Sequence, residues 1–365
     1  METAGQWCDN ASCPDCGKIG ADNVKMHSYA ERRLRCTTCQ RTFSADKGTF
    51  FETLHTPRPI LLDAVAMLVE RNSLRAVSRV KHCTADAVLH WLDLAGQQGA
   101  AVHRSFIRDV HPTQVQVDEL WSFVKKKQAH LQPGDSADWG DAWIWRALAL
   151  PSHLRVVTHL SHERSEEEAT AFLAAFKART DGHAPLFTSD KLPAYVAALI
   201  ANYSTPEPPP AQRGRGRPRQ TPRRVLDTAL LYAQVDKRRE QGRVVEVRRR
   251  IIFGARDIIT KVLGGQQINT AYVERDNLTS RQTNGRLVRK TLSHSKKSSF
   301  LRCHLDLEDA VFNFVRPHQA LRIAVSQPTL GRKWQQRSPA MAAGLTDHLW
   351  SLEELLAYRV PPPKD

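Results

Sequence analysis

Three carboxylates and two cysteine pairs are the residues of this chain whose types and spacing could do chemistry. The stretch Thr113–Val124 places Val115, Val117, Trp121 and Phe123 at the period of two that marks a strand, which turns Asp118 to the other face beside Gln116 and Leu120. A carboxylate in mid-strand is normally paired or metal-bound, because desolvating it alone costs several kcal/mol or more. Two later acids could share a metal with it: Asp190, at the end of a short apolar run, and Glu274, at the head of a polar helix. Oxygen ligands of this kind favour Mg2+ or Mn2+. Glu119, on the apolar face of the strand, reads as structural.

The cysteines describe a different metal. Cys13-Pro-Asp-Cys16 and Cys36-Thr-Thr-Cys39 are 19 residues apart, inside the spacing of a four-cysteine Zn2+ site. Structural zinc contributes ~10–16 kcal/mol of apparent binding energy, enough to fold a module too small to fold on burial alone. Cys8, Cys83 and Cys303 have no partner pattern and read as buried thiols. Arg32, Arg33, Arg35 and Arg41 surround the second pair and suit phosphate contacts.

Charge points to the same kind of partner. Lys and Arg number 53 against 38 Asp and Glu, a net charge of +15, which favours a polyanion such as nucleic acid. At 365 residues and 41% hydrophobic the chain can bury a core and is not disordered. No apolar run approaches the ~18 residues of a membrane span, and no signal peptide precedes the cysteines, so the cytoplasm is the expected compartment.

The elements that must position these residues follow from local pattern. Residues 1–57 form the cysteine module. Residues 58–103 carry helical spacing, with Thr84 capping a third helix that bears Asp86, His90 and Asp93, and read as a helix-turn-helix; a plain helical linker bundle stays open. Residues 104–330 alternate strands and helices. Strands are expected at Ala142–Leu150, Leu154–His162 and Pro185–Asp190, a helix after the Ser165/Glu168 capping box, another through Tyr195–Ile200, a helix over Leu226–Glu240 and a strand over Val244–Phe253. The fold class is α/β, a mixed sheet in ribonuclease-H-like order. An arginine-rich insertion, 204–225, interrupts it; Arg215, Arg217 and Arg219 have the form of an AT-hook, or of a solvated basic linker. Glu274, Asn277, Arg281 and Asn284 form one polar stripe opposite Leu278, Leu287 and Val288, followed by the basic residues Arg286, Arg289 and Lys290. Residues 331–365 are a tail with a short helix capped at Ser351.

Taken together, the paired Cys-x2-Cys ribbon, Val117-Asp-Glu-Leu-Trp-Ser-Phe-Val124, Ser189-Asp190, Val273-Glu-Arg-Asp-Asn-Leu-Thr279 and Arg286-Leu-Val-Arg-Lys290 resemble the DDE transposases of the insertion-sequence-one family. The resemblance runs from about Cys13 to Arg322. It implies a zinc ribbon and helix-turn-helix before a ribonuclease-H-like catalytic domain, with Asp118, Asp190 and Glu274 as a triad holding two Mg2+ ions and Arg281 positioning a phosphate. It also implies transposon ends and target DNA as partners, Arg286 and Lys290 on DNA, and a homo-oligomer of at least two chains. The 83 residues between Asp190 and Glu274 exceed the family's compact form and leave Asp181 as an alternative second acid. A DNA-binding regulator without catalysis and a nuclease of the same fold are the other readings; an assay for joined DNA separates them.

Overall fold

The alternation in Gln114–Val124 builds the strand against which the rest of the chain is laid. In the computed structural model, which describes residues 5–207, 223–329 and 332–362, three short strands come first: β1 (Val24–Ser28), β2 (Arg33–Cys36) and β3 (Thr42–Ser44). Three helices follow: α1 (Arg58–Val69), α2 (Leu74–Lys81) and α3 (Ala85–Phe106). The side chains of Ser73 and Thr84 cap α2 and α3 by accepting backbone N–H bonds. Next come β4 (Gln114–Val124), β5 (Gly140–Leu150), β6 (Leu154–Ser161), α4 (Glu166–Lys177), β7 (Leu186–Ser189) and α5 (Ala194–Asn202). A strand pair, β8 (Ser204–Glu207) and β9 (Arg223–Leu226), brackets the insertion, so Arg215, Arg217 and Arg219 lie outside the described residues. The hairpin β10 (Leu231–Glu240) and β11 (Arg243–Phe253) precedes α6 (Arg256–Val262), α7 (Ala271–Thr283) and α8 (Ser298–Ala310).

Six strands form one mixed sheet in the order β11-β10-β7-β4-β5-β6. β4, β5 and β6 run antiparallel, β7 runs parallel to β4, β10 parallel to β7, and β11 antiparallel to β10. Each face has its own cover. Val115 and Val117 turn toward α4 and α5, in a core with Trp145, Phe172, Phe176 and Tyr195. Leu120 turns the other way, against Leu287, Leu301 and Leu305.

The segment Leu231–Glu240, expected as part of a helix, is a strand. Its helix-forming residues are overridden by pairing with β7 and by a two-residue turn in which Gln241 (φ 49°) and Gly242 (φ 78°) both take the left-handed conformation that closes a hairpin. Nor does α3 stop at the expected boundary. It runs on to Phe106 and lies on α8, with Gly96 over the backbone of Cys303 and Gly99 so close to Asp306 that a Cβ there would stand 2.9 Å from its carbonyl oxygen. The third helix is therefore anchored by its second half and shows Asp86, His90 and Gln97 to water.

The C-terminal segment is no loose tail. Trp350, Leu355 and Leu356 complete the core of α1–α3, Ser351 and Glu354 form the expected capping box, and Arg359 reaches the cysteine module. There it donates to the Lys47 and Trp7 carbonyls and lies over the rings of Trp7 and Phe43. No helix among the described residues is long and apolar enough to cross a membrane.

Candidate active site

Strand register brings the two aspartates together. β4 and β7 pair in parallel only through Gln116↔Thr188, so Asp118 and Asp190 lie two residues further on, where β7 has ended and the edge of β4 is open. The carboxylates of Asp118, Glu119 and Asp190 all come within 4.8 Å of one another there. Asp181 sits before β7, at the other end of that strand, and accepts from His111 at 2.6 Å.

Glu274, expected to join Asp118 and Asp190, is not in that group; Gln116 sets its position. The Gln116 side-chain oxygen accepts the N–H groups of Tyr272 and Val273, two of the orphan donors at the start of α7, and its NH2 donates to Asn269. That bond fixes the first turn of α7 over β4. Glu274 falls in this turn, where the helix dipole favours a carboxylate, and it is held by Lys237 and by the Thr270 hydroxyl. One turn on, Asn277 donates to Asp118 Oδ2 at 2.8 Å. Glu119, read as structural, borders the site: it accepts from Tyr195 at 2.8 Å and pairs with Arg164, whose guanidinium also lies 3.7 Å from Asp190.

Burial pushes the Asp118 carboxyl up from its ordinary 3.8 to about 7, and the negative charges of Asp190 and Glu274 push the same way. Asn277 and Arg164 counter only part of this. The site thus concentrates more negative charge than its own cations offset, the electrostatic condition a divalent ion relieves.

Two expected contacts are placed elsewhere. Arg281, expected on a phosphate, is half-buried and spends its nitrogens on the carbonyls of Leu287 and Trp121, bracing α7 to β4. Arg286, expected on DNA, is 8% exposed and donates to Ser295 and His304; burial lowers its pKa to about 10. Lys290 is exposed, and so is Leu278, expected on an apolar side that Val273 provides instead. In the cysteine module Arg35 and Arg41 are exposed, while Arg32 pairs with Asp46 and Arg33 donates to Thr42.

The thiols that meet are Cys8, Cys13, Cys36 and Cys39; Cys16, expected as the second ligand, is outside that mutual group. Cys8 enters because its strand-like segment bridges Cys16 and its carbonyl accepts from Gly17, turning its fully buried side chain inward. The four thiols and the acidic group both fit divalent metals.

Buried charges that belong to no sequence motif hold α7 down. Arg146, the β5 partner of Asp118, donates to Asp276 at 3.0 Å and to Ser280. Arg155 of β6, fully buried, takes Asp276 with a two-pronged fork and reaches Glu308 and Asp309 at 2.9 and 3.2 Å. Arg146 and Arg155 hold the buried Asp309 carboxyl below its ordinary range although burial alone would raise it. The only signal in the sequence was an arginine inside each of two apolar strands.

No family model and no curated protein matches the chain. Among solved structures it is similar to the Mos1 strand transfer complex, at 12% identity and a TM-score of 0.16, and to the mariner Mos1 paired end complex with Mg, at 13% and 0.15. Each match covers 40% of this chain, and the chain spans 55% and 56% of the length of those two. Likenesses this slight decide neither fold nor function, which rest on the geometry above.

Proposed function

We propose that the chain is a DDE transposase of the insertion-sequence-one type, which cuts DNA at transposon ends and joins the 3′ ends to target DNA. One observation carries the reading: Asp118, midway along β4, and Asp190, just past the end of the parallel strand β7, meet in one acidic group, and Glu274 in the first turn of α7, outside that group, is near enough for its charge to raise the Asp118 pKa. The strand order, three antiparallel strands followed by parallel ones on the β4 side, is that of a ribonuclease-H-like sheet, and the three helices α1–α3 before it have the order of a helix-turn-helix.

Asp118, Asp190 and Glu274, with Glu119 beside the two aspartates, fit hard cations such as Mg2+ or Mn2+: all are oxygen donors, and Asp118 is part-buried among like charges. When bound, such ions supply a lowered pKa for attacking water and stabilisation of the leaving oxygen. The chain's own groups set the geometry. Asn277 orients Asp118, Arg164 offsets Glu119, Gln116 fixes the first turn of α7, and Lys237 restrains Glu274. Exposed Arg35, Arg41 and Lys290 are available to phosphates.

The deciding experiment incubates purified protein with labelled transposon-end DNA and supercoiled target, with Mg2+ or with EDTA. Mg2+-dependent joined product is expected. Cleavage without joining would indicate a nuclease, and binding without cleavage a regulator.

The cysteine group fits one Zn2+. Tetrahedral thiolates about 2.3 Å from zinc lie about 3.8 Å apart, and Cys8–Cys39 and Cys13–Cys36 stand at 3.6 and 3.9 Å. Metal analysis of the purified protein is expected to find one zinc per chain, lost in Cys8→Ser and retained in Cys16→Ser. The reverse pattern would restore Cys16 to the ligand set.

A further inference from the structure

The β10–β11 hairpin is longer than the sheet requires. β10 meets β7 only over Leu231–Gln234, whereas its ladder with β11 continues to Glu240↔Arg243. Past Val235 the hairpin is a two-stranded ribbon: Arg238–Glu240, Arg243–Val245 and Val247–Arg250 are all exposed. Two strands without cover are marginal in water, so a ribbon of this length calls for a partner.

Its charge says which. Residues 236–250 hold seven basic side chains and three acidic ones. The acids are already engaged: Asp236 with Lys191, Glu246 with Arg248 and Arg238, and Glu240 with Arg238. Among the described residues Arg239, Arg243 and Arg250 form no ion pair. A second copy of so basic a ribbon would be repelled, whereas a phosphate backbone would be attracted. The root of the ribbon is at the carboxylates, since Lys237 pairs with Glu274 and Lys191, next to Asp190, with Asp236. Duplex DNA bound at the site has the ribbon beside it, and its major groove is wide enough to admit two strands.

We propose that the β10–β11 ribbon is a duplex-DNA contact element flanking the active site, with Arg239, Arg243 and Arg250 on phosphates. The inference rests on the DNA-recombinase reading and extends it to a surface outside the motifs that suggested it.

The test compares the full chain with Arg239→Gln/Arg243→Gln/Arg250→Gln and with the corresponding triple Lys variant. Fluorescence anisotropy on a labelled 30-base-pair duplex is read across 50–200 mM salt. The Gln variant is expected to bind about tenfold or more weakly at 150 mM, and its slope of log K against log salt to be shallower by about 2.7, the value for three lost phosphate contacts. The Lys variant should keep most of the affinity. Equal affinity and slope in the Gln variant, with thermal melting unchanged, would overturn the ribbon while leaving the recombinase reading intact. Failure of the wild-type chain to bind duplex at all would overturn both. A fall in sedimentation coefficient of the Gln variant without DNA would make the ribbon an interface between copies and overturn the proposal.

Discussion

Asp118→Asn is expected to abolish cleavage and joining, by a thousandfold or more, and at the same time to raise the melting temperature of the cation-free protein at pH 8. The first effect follows from removing a ligand between Asp190 and Glu274; a loss of about 4 kcal/mol of transition-state stabilisation is already a thousandfold. The second follows from the cost of ionising the group. Its folded pKa is about 7 against an ordinary 3.8. Between these values the folded chain holds a proton the unfolded chain has released, so stability falls as pH rises through the window and reaches its lower level above 7. The cost above pH 7 is on the order of 2–4 kcal/mol, discounted for the group's partial exposure. Asparagine carries no such cost, and its side-chain oxygen can still accept from Asn277.

Melting curves in EDTA from pH 5 to 8 read this directly. The variant should gain on the wild type as pH rises, by a few degrees at pH 8 and by roughly a third to a half of that at pH 5. Added Mg2+ should stabilise the wild type and not the variant, because only the wild type gains binding energy from the ion. A pH-independent difference, or equal stabilisation by Mg2+, would remove Asp118 from the site.

How far the sequence could be read depended on how local each signal was. The β4 alternation, the Thr84 and Ser351 caps and the polar stripe of α7 are written in neighbouring residues, and the elements they mark are present. Leu231–Glu240 is a strand although its local composition favours helix, because its state is set by a strand 45 residues earlier, Leu186 opposite Leu231. The cysteine spacing points to the two Cys-x2-Cys pairs and carries no sign of Cys8, whose approach to Cys13, Cys36 and Cys39 is made by the backbone bridge to Cys16. Arg281 and Arg286 carry the charge of DNA contacts, but charge does not show direction; only packing turns one toward the Trp121 carbonyl and buries the other beside His304. Glu119 was assigned to the apolar face by period alone, although the early end of β7 opens that edge and lets its carboxylate reach Asp118 and Asp190.

The buried arginines lead to the second large effect. Arg155→Met is expected to destabilise the chain by about 3–5 kcal/mol, the cost of leaving buried charges unpaired. Arg155 and Arg146 face Asp276, Glu308 and Asp309, so the acids already outnumber the arginines, and losing one arginine leaves three carboxylates to Arg146 alone. Methionine can fill the space over Phe312, where the guanidinium stands 3.9 Å from the ring, so lost packing is the smaller part. Lysine keeps the charge but not the fork to Asp276, and Arg155→Lys should fall between the two. Denaturant titration should show a lower midpoint at unchanged slope. Adding Asp309→Asn to Arg155→Met should recover part of the loss, since it removes one of the stranded charges, and the coupling between two contacting residues is then measured directly. Strict additivity of the two changes would show that the charges are not paired as described. Because Asp276 lies two residues from Glu274 on the same helix, loosening this clamp also frees Glu274, the third acid of the proposed triad. Mg2+ affinity should therefore fall in Arg155→Met under conditions where the variant is still fully folded.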